Sequence, residues 1–141
     1  MSSAAGTYSH PVRVYWEDTD AGGVVFYANY LKFFERARTE WLRALGFSQQ
    51  QMRHTQGLLF VVTETHVRYR QAARLDDELS ITVTLASATR ARLGLTQAAW
   101  RGATLLADSR IVLACVEADT FRPRRLPPSI LDALASTTGN P

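Results

Sequence analysis

The chain has 141 residues, 46% of them hydrophobic and 21% charged, with a formal net charge of +3. It is long enough for one proper core in one domain, and its composition is that of an ordinary globular protein. No run approaches the roughly 18–20 apolar residues of a membrane span, and the start MSSAAGTYSHP has neither the basic nor the apolar region of a signal peptide, so stable membrane insertion is not expected. The one cysteine, Cys115, lies in an apolar stretch and has no second cysteine to pair with. It reads as core packing in a reducing, cytoplasmic compartment. Of the sixteen basic residues only Lys32 is lysine. Arginine suits bidentate recognition of phosphate, but these arginines are spread over every predicted element. A nucleic-acid face would gather them on one side with interleaved aromatics, so no nucleic acid is expected as a partner.

Residues 1–9 read as a flexible arm, 10–135 as the folded domain and 136–141 as a flexible tail. HPVRVYWE, from His10 to Glu17, alternates Val12, Val14 and Trp16 against Arg13, Tyr15 and Glu17, as a half-buried strand does. Residues 18–26 form a turn. A helix follows from about Ala28 to Leu45, with Tyr30, Phe33, Phe34, Ala37, Trp41 and Leu45 on one face, Leu31 and Leu42 at its margin, and Gly46 as its stop. Arg38 lies within the apolar arc, and Glu35, one turn back, is its expected ion-pair partner. Residues 47–55 read as a short helical or irregular connection. Four strand-like stretches come next, at Leu58–Arg70, Glu78–Ala86, Arg92–Arg101 and Ala103–Glu117. The tail carries an arginine- and proline-rich loop, then two helical turns capped by Ser129.

Strand, long helix and four strands on short turns make an α+β arrangement, a curved antiparallel five-stranded sheet wrapped around one helix. Neighbouring strands on short connections are expected to pair. One helix leaves sheet edges uncovered, and edge pairing between two copies is the economical remedy.

Residues 13–45, RVYWEDTDAGGVVFYANYLKFFERARTEWLRAL, hold the densest chemistry. A short strand meets two acids and a Gly-Gly turn that delivers the chain into the long helix. Glycine permits close backbone approach, and a helix start offers unpaired N–H groups and partial positive charge. A carboxylate and a seat for an oxyanion are thereby brought close in sequence. An Asp before Gly-Gly is also ordinary turn chemistry, its side chain bonding nearby N–H groups. Glu17 and Asp18 read as solvated or salt-bridged acids. His10, His54 and His66 sit at no metal-ligand spacing, and no metal or cofactor is expected. There is no G-x-S-x-G nucleophile elbow, P-loop or dinucleotide-binding glycine pattern.

The stretch VRVYWEDTDAGGVVFYANYLKFFERARTEWLR resembles the 4-hydroxybenzoyl-CoA thioesterase family of hotdog-fold proteins, and within it the acyl-CoA thioesterases associated with the Tol-Pal system. VRYRQAARLDDELSITVTL and FRPRRLPPSI follow the same pattern, so the resemblance covers roughly residues 11–131. It implies a hotdog fold, a dimer or dimer of dimers (a homotetramer), and hydrolysis of an acyl-CoA thioester without a metal. The family's catalytic aspartate falls on Asp20 and its oxyanion-binding backbone N–H on Tyr27. Many Tol-Pal-associated relatives carry His where Tyr27 stands, whereas the hydroxybenzoyl-type enzymes carry Tyr. On this reading Asp20 attacks the carbonyl or deprotonates a water, and Gly22 and Gly23 let the turn approach the thioester. Phe26, Tyr30 and Phe34 are core packing that also offers a lining for the acyl pocket. Coenzyme A carries phosphates, and Arg90, Arg92, Arg122, Arg124 and Arg125 are the candidates to meet them. A dehydratase of this fold would need a His near Asp20, and none lies near it in sequence. A non-catalytic acyl-CoA-binding or scaffold module would keep the same groove without needing Asp20.

Overall fold

The computed structural model of the chain describes residues 6–137. Seven-residue strand β1 (Thr7–Arg13) leads through a 3-10 turn at Trp16–Asp18 to helix α1 (Asn29–Ala44). Helix α2 (Gln49–Gln56) and strands β2 (Leu58–Tyr69), β3 (Glu78–Ala88), β4 (Arg92–Arg101) and β5 (Thr104–Glu117) follow, and α3 (Pro128–Thr137) is the last described element. The five strands form one sheet in the order β1-β3-β4-β5-β2, antiparallel throughout.

The sheet and helix expected from the alternation are all present, with three shifts. β1 begins at Thr7 and ends at Arg13, so Thr7–Ser9 pair with Thr84–Thr82 instead of forming part of an arm. Residues 1–5 and 138–141 lie outside the described residues. Strand geometry stops before Trp16, which therefore does not join Val12 and Val14 in the core but stands 78% exposed on the 3-10 turn. α3 starts at Pro128, a natural first helical residue because proline's missing N–H would have no partner there. Ser129 lies inside that first turn and is not the cap.

β3–β4 and β4–β5 pair as chain neighbours were expected to, but β2 does not pair with β3. β2 pairs with β5, and β3 takes β1 and β4. The chain leaves β2 by donating the Arg70 and Gln71 N–H groups to the Leu106 carbonyl, at 2.8 and 3.1 Å. It then runs across one end of the sheet to β3. This crossing segment, 70–77, buries Ala73 completely and gives the turn before α1 something to lean on.

α1 packs chiefly on β3. Tyr30, Phe33, Phe34, Ala37, Trp41 and Leu42 are buried against Leu79, Ile81 and Val83 of β3, Leu93 and Leu95 of β4, and Ile111 and Leu113 of β5. Truncating a ring such as Phe33 or Phe34 to alanine would cost about 3–5 kcal/mol by loss of transfer energy and the cavity left behind. One buried polar link joins the layers. Gln97 of β4 donates Nε2 to the Phe34 carbonyl at 3.0 Å and accepts from the Arg38 guanidinium at 3.0 Å. Arg38 thus bonds to Gln97, and the expected Glu35–Arg38 ion pair is not formed among the described residues. Burial pulls the Arg38 guanidinium below its ordinary value, with Glu35 pulling it back up.

β1 and β2 are the sheet's edges. β2 carries a register shift between Val62 and Glu64, and from Val62 (48% exposed) to its end every residue but Val67 is exposed. Cys115 is fully buried, and burial raises its thiol pKa, which suits the expected packing role.

Candidate functional site

The segment between β1 and α1 is fastened at three points. Val14 donates to the Asp77 carbonyl at 2.9 Å and accepts from the Asp76 N–H at 3.0 Å. Asp18 is buried, 6% exposed, and its carboxylate accepts the Tyr15 N–H at 2.8 Å. Its carbonyl accepts both the Phe26 N–H at 3.1 Å and the Asn29 side-chain amide at 2.8 Å. This acid is neither solvated nor salt-bridged, as expected of it, but closes the 3-10 turn from within. Glu17 is exposed.

Asp20 sits at the next turn. Its N–H donates to the Val24 carbonyl at 2.9 Å, and its carbonyl accepts the Gly23 N–H at 3.0 Å. Thr19 and Val25 bridge below it. One carboxylate oxygen accepts the Gly22 N–H at 2.8 Å, and the other has no hydrogen-bond partner among the described residues. Asp20 is exposed. The geometry requires glycine at Gly23 and favours it at Gly22. Gly23 has φ +78°, a left-handed conformation that side chains resist, and a Cβ on Gly22 would come within 3.3 Å of the Asp20 carboxylate.

Beyond the turn the chain is clasped to the crossing segment. Val25 donates to the Ala73 carbonyl at 2.8 Å, Val24 bridges Arg74, and the buried Tyr30 hydroxyl accepts the Ala73 N–H at 3.1 Å. Asp77 holds that segment in turn, accepting the Arg74 N–H at 2.9 Å and the Arg101 guanidinium at 2.8 Å. Burial alone would raise the Asp77 pKa, but these two donors outweigh it and keep the carboxyl below its usual range.

Asn29, Tyr30 and Leu31 at the head of α1 turn their N–H groups back on the carbonyls of Phe26, Tyr27 and Ala28. That leaves the N–H groups of Tyr27 and Ala28 without an acceptor among the described residues, at the positive end of a 16-residue helix. The Tyr27 ring lies 4.8 Å from that of Phe26 and meets Tyr69 edge-on at 5.8 Å, and Tyr69 also stands 5.5 Å from Tyr30. Phe26, Tyr27 and Tyr69 are exposed. Of the rings expected in the core, Tyr30 and Phe34 are buried and Phe26 is not. Burial raises the Tyr69 hydroxyl pKa, with Tyr27 and Tyr30 adding to it.

Sequence reasoning missed Tyr69 and Asn29. Tyr69 alternates with Val67 and Thr65 along β2, but nothing local indicates that the end of β2 meets the start of α1. Asn29 lies within the motif itself, and its spacing of eleven residues from Asp18 carried no recognisable cap signal.

The candidate phosphate-binding arginines divide. Arg90, Arg124 and Arg125 line one cavity of about 590 Å³, together with Gln56, Leu58 and Pro127. The Leu126 N–H, donating to the Arg90 carbonyl at 2.9 Å, pins the tail loop to the β3–β4 turn and so assembles this cavity. Arg124 is also ion-paired with Glu117. Arg92, opposite Ala114 on β4, and Arg122, whose carbonyl accepts the Glu117 N–H, do not line it. No group of three or more His, Cys, Asp or Glu side chains suited to a metal ion occurs among the described residues.

Residues 14–134 match the thioesterase-like superfamily. The chain is 43% identical to "Acyl-CoA thioesterase YbgC" of Haemophilus influenzae, over 87% of this chain and 90% of that protein. It is 46% identical to "Acyl-CoA thioester hydrolase YbgC" of Escherichia coli, over 86% and 90% of the two. Among solved structures, a probable thioesterase from Bartonella henselae matches with a TM-score of 0.81 at 33% identity, covering 86% of this chain and 99% of that one. A 1,4-dihydroxy-2-naphthoyl-CoA thioesterase from Synechocystis has a TM-score of 0.87 at 21% identity, covering 96% and 100%, and attests the fold alone. With the sheet, the long helix and the match over 14–134 in agreement, the chain belongs to the thioesterase-like superfamily and has its hotdog fold.

Proposed function

We propose that this protein hydrolyses an acyl-CoA thioester to the free acid and CoA. Asp20 supplies the nucleophile or general base, and the Tyr27 N–H holds the oxyanion. The observation that carries this reading is the pair of acceptorless N–H groups at the head of α1, on the same pinned segment that presents Asp20. The names of the relatives support the activity.

The chemistry needs two things from the protein. A carboxylate must attack the thioester carbonyl, giving a mixed anhydride that water then opens, or must take a proton from the attacking water. A fixed donor must then meet the negative charge on the former carbonyl oxygen; one such donor typically lowers the barrier by about 3–4 kcal/mol. The departing thiolate is a good leaving group and makes little demand for a strong acid. The free oxygen of Asp20 leaves lone pairs for the reaction while the Gly22 bond fixes the other. Phe26, Tyr27 and Tyr69 offer an apolar wall for the acyl group. Arg90, Arg124 and Arg125 are assigned to the CoA phosphates, with Arg92 and Arg122 as outer contributors.

The same reading includes a homo-oligomer, a dimer or dimer of dimers, because the exposed edge of β2 is left to be covered. A cytoplasmic location belongs to it as well, consistent with a lone buried thiol. No helix among the described residues is long and apolar enough to cross a membrane.

The test is turnover of benzoyl-, butyryl- and palmitoyl-CoA, read with a thiol reagent, for wild type and Asp20→Asn. Loss of turnover in Asp20→Asn with CoA affinity retained supports hydrolysis. CoA binding without any turnover by the wild type would instead support a non-catalytic acyl-CoA-binding module. That second reading has one observation in its favour, since the Asp20–Gly22 contact is also what turn chemistry alone produces. The phosphate assignment has its own check. Arg124→Ala with Arg125→Ala should raise KM for acyl-CoA but not for a short pantetheine thioester, and equal effects on both would remove it.

A further inference from the structure

Gln97 points its amide at the Phe34 carbonyl of α1, so its neighbours Thr96 and Ala98 face the opposite side of the sheet. On that outer side the register sets Arg110 between His66 of β2 and Thr96 of β4, and Asp108 between Arg68 and Ala98. Thr82 of β3 follows Ala98 in the same row. The short side chains at 82, 96 and 98 make a floor, and the long ones at 66, 68 and 110 make a wall. The resulting depression has a volume of about 340 Å³.

Its charge is unbalanced. Arg68 and Arg110 are diagonal cross-strand neighbours, roughly 7–8 Å apart at the backbone, and like charges so placed repel. Asp108 gives a carboxylate oxygen to Arg70 at 3.1 Å. Neither Arg68 nor Arg110 has an ion-pair partner among the described residues. Two guanidinium groups without an ion-pair partner among the described residues thus line one polar hollow together with Thr82 and Thr96, and guanidinium forks suit the bidentate demand of a phosphate group.

We propose that this depression binds a phosphorylated small molecule, at a site separate from the Asp20 turn and from the cavity of Arg90, Arg124 and Arg125. A second copy of the chain is the less favoured occupant. Around the hollow Arg68, Arg70 and Arg110 outnumber Asp108 and the nearby Glu64, so two such faces pressed together would oppose positive surfaces.

The experiment is a titration of the ¹⁵N-labelled full chain with pyrophosphate and, separately, with adenosine 3′,5′-bisphosphate, following the amides of Thr82, Thr96 and Ala98. Saturable shifts there with pyrophosphate support a site for the phosphate group itself. Shifts there with the nucleotide alone support a site that also reads the attached nucleoside. Arg68→Gln with Arg110→Gln should weaken binding at least about tenfold, because two charge-assisted forks are lost, and should leave the melting temperature unchanged. If that pair does not fold, Arg68→Lys with Arg110→Lys keeps the charge and removes only the forks, and a weaker affinity than wild type remains the expected result. No saturable shift at these amides, or equal affinity in wild type and the foldable variant, overturns the proposal. So does a wild-type assembly in which a second copy covers these three amides.

Discussion

Asp18 and Asp20 are two residues apart and have opposite surroundings. Asp18 is buried, with its carboxylate spent on the Tyr15 N–H and its carbonyl shared by Phe26 and Asn29. Asp20 is exposed, with one oxygen fixed by Gly22 and the other open. The inner half of the loop is built like a cap, with a buried acid holding the Tyr15 N–H, while the outer half presents an exposed carboxylate with one oxygen unbonded among the described residues. On the proposed reading, stability and chemistry fall to different carboxylates on one short segment.

That division can be broken from either side. The largest expected effect is on rate: Asp20→Asn should slow thioester hydrolysis by about 100-fold or more, with an unchanged melting temperature. A variant with near-normal turnover would end its assigned role. Asp18→Ala should do the reverse in kind. It removes the buried carboxylate that accepts the partly buried Tyr15 N–H and should lower stability by about 1–3 kcal/mol in a urea titration. If it melts like wild type, the cap is not holding the loop. Gly23→Ala forces a side chain into a left-handed turn and should cost about 1–2 kcal/mol, measured the same way. A smaller and sharper effect is expected from pH. The Asp77 carboxyl is held below its usual range when folded, so its contribution is complete above its unfolded pKa of about 3.9. It is lost as pH falls through the lower, folded value. Asp77→Asn should therefore flatten this part of the acid-unfolding profile, and an unaltered profile would remove Asp77 from the clasp.

Much of this was legible in the chain. The three-to-four spacing of Tyr30, Phe33, Phe34, Ala37 and Trp41 marked the buried face of α1 because helix periodicity and one-sided burial leave the same trace. Strict alternation through Leu79, Ile81 and Val83 marked β3 for the same reason. The turn at Gly22–Gly23 was legible because few residues other than glycine accept its dihedrals. What was not legible depends on contacts distant in sequence. β2 pairing with β5 leaves no local mark, since every strand alternates alike. Trp16 continued an alternation that the backbone abandoned at Arg13, and a pattern cannot register where a strand stops. The burial of Asp18 rests on Asn29 and Phe26, so a run of acids read as surface charge when one member was an internal cap. Arg38 was assigned to Glu35 by helical spacing, yet a glutamine 59 residues away took it.

The clasp at Ala73 carries a consequence for redesign. Its carbonyl accepts the Val25 N–H, its N–H donates to the Tyr30 hydroxyl, and its methyl group is fully buried. Residues 70–77 thus set the aim of the turn to which the proposed chemistry is assigned, and grafting a crossover from a relative should re-aim the Asp20 turn while every residue of that turn stays the same.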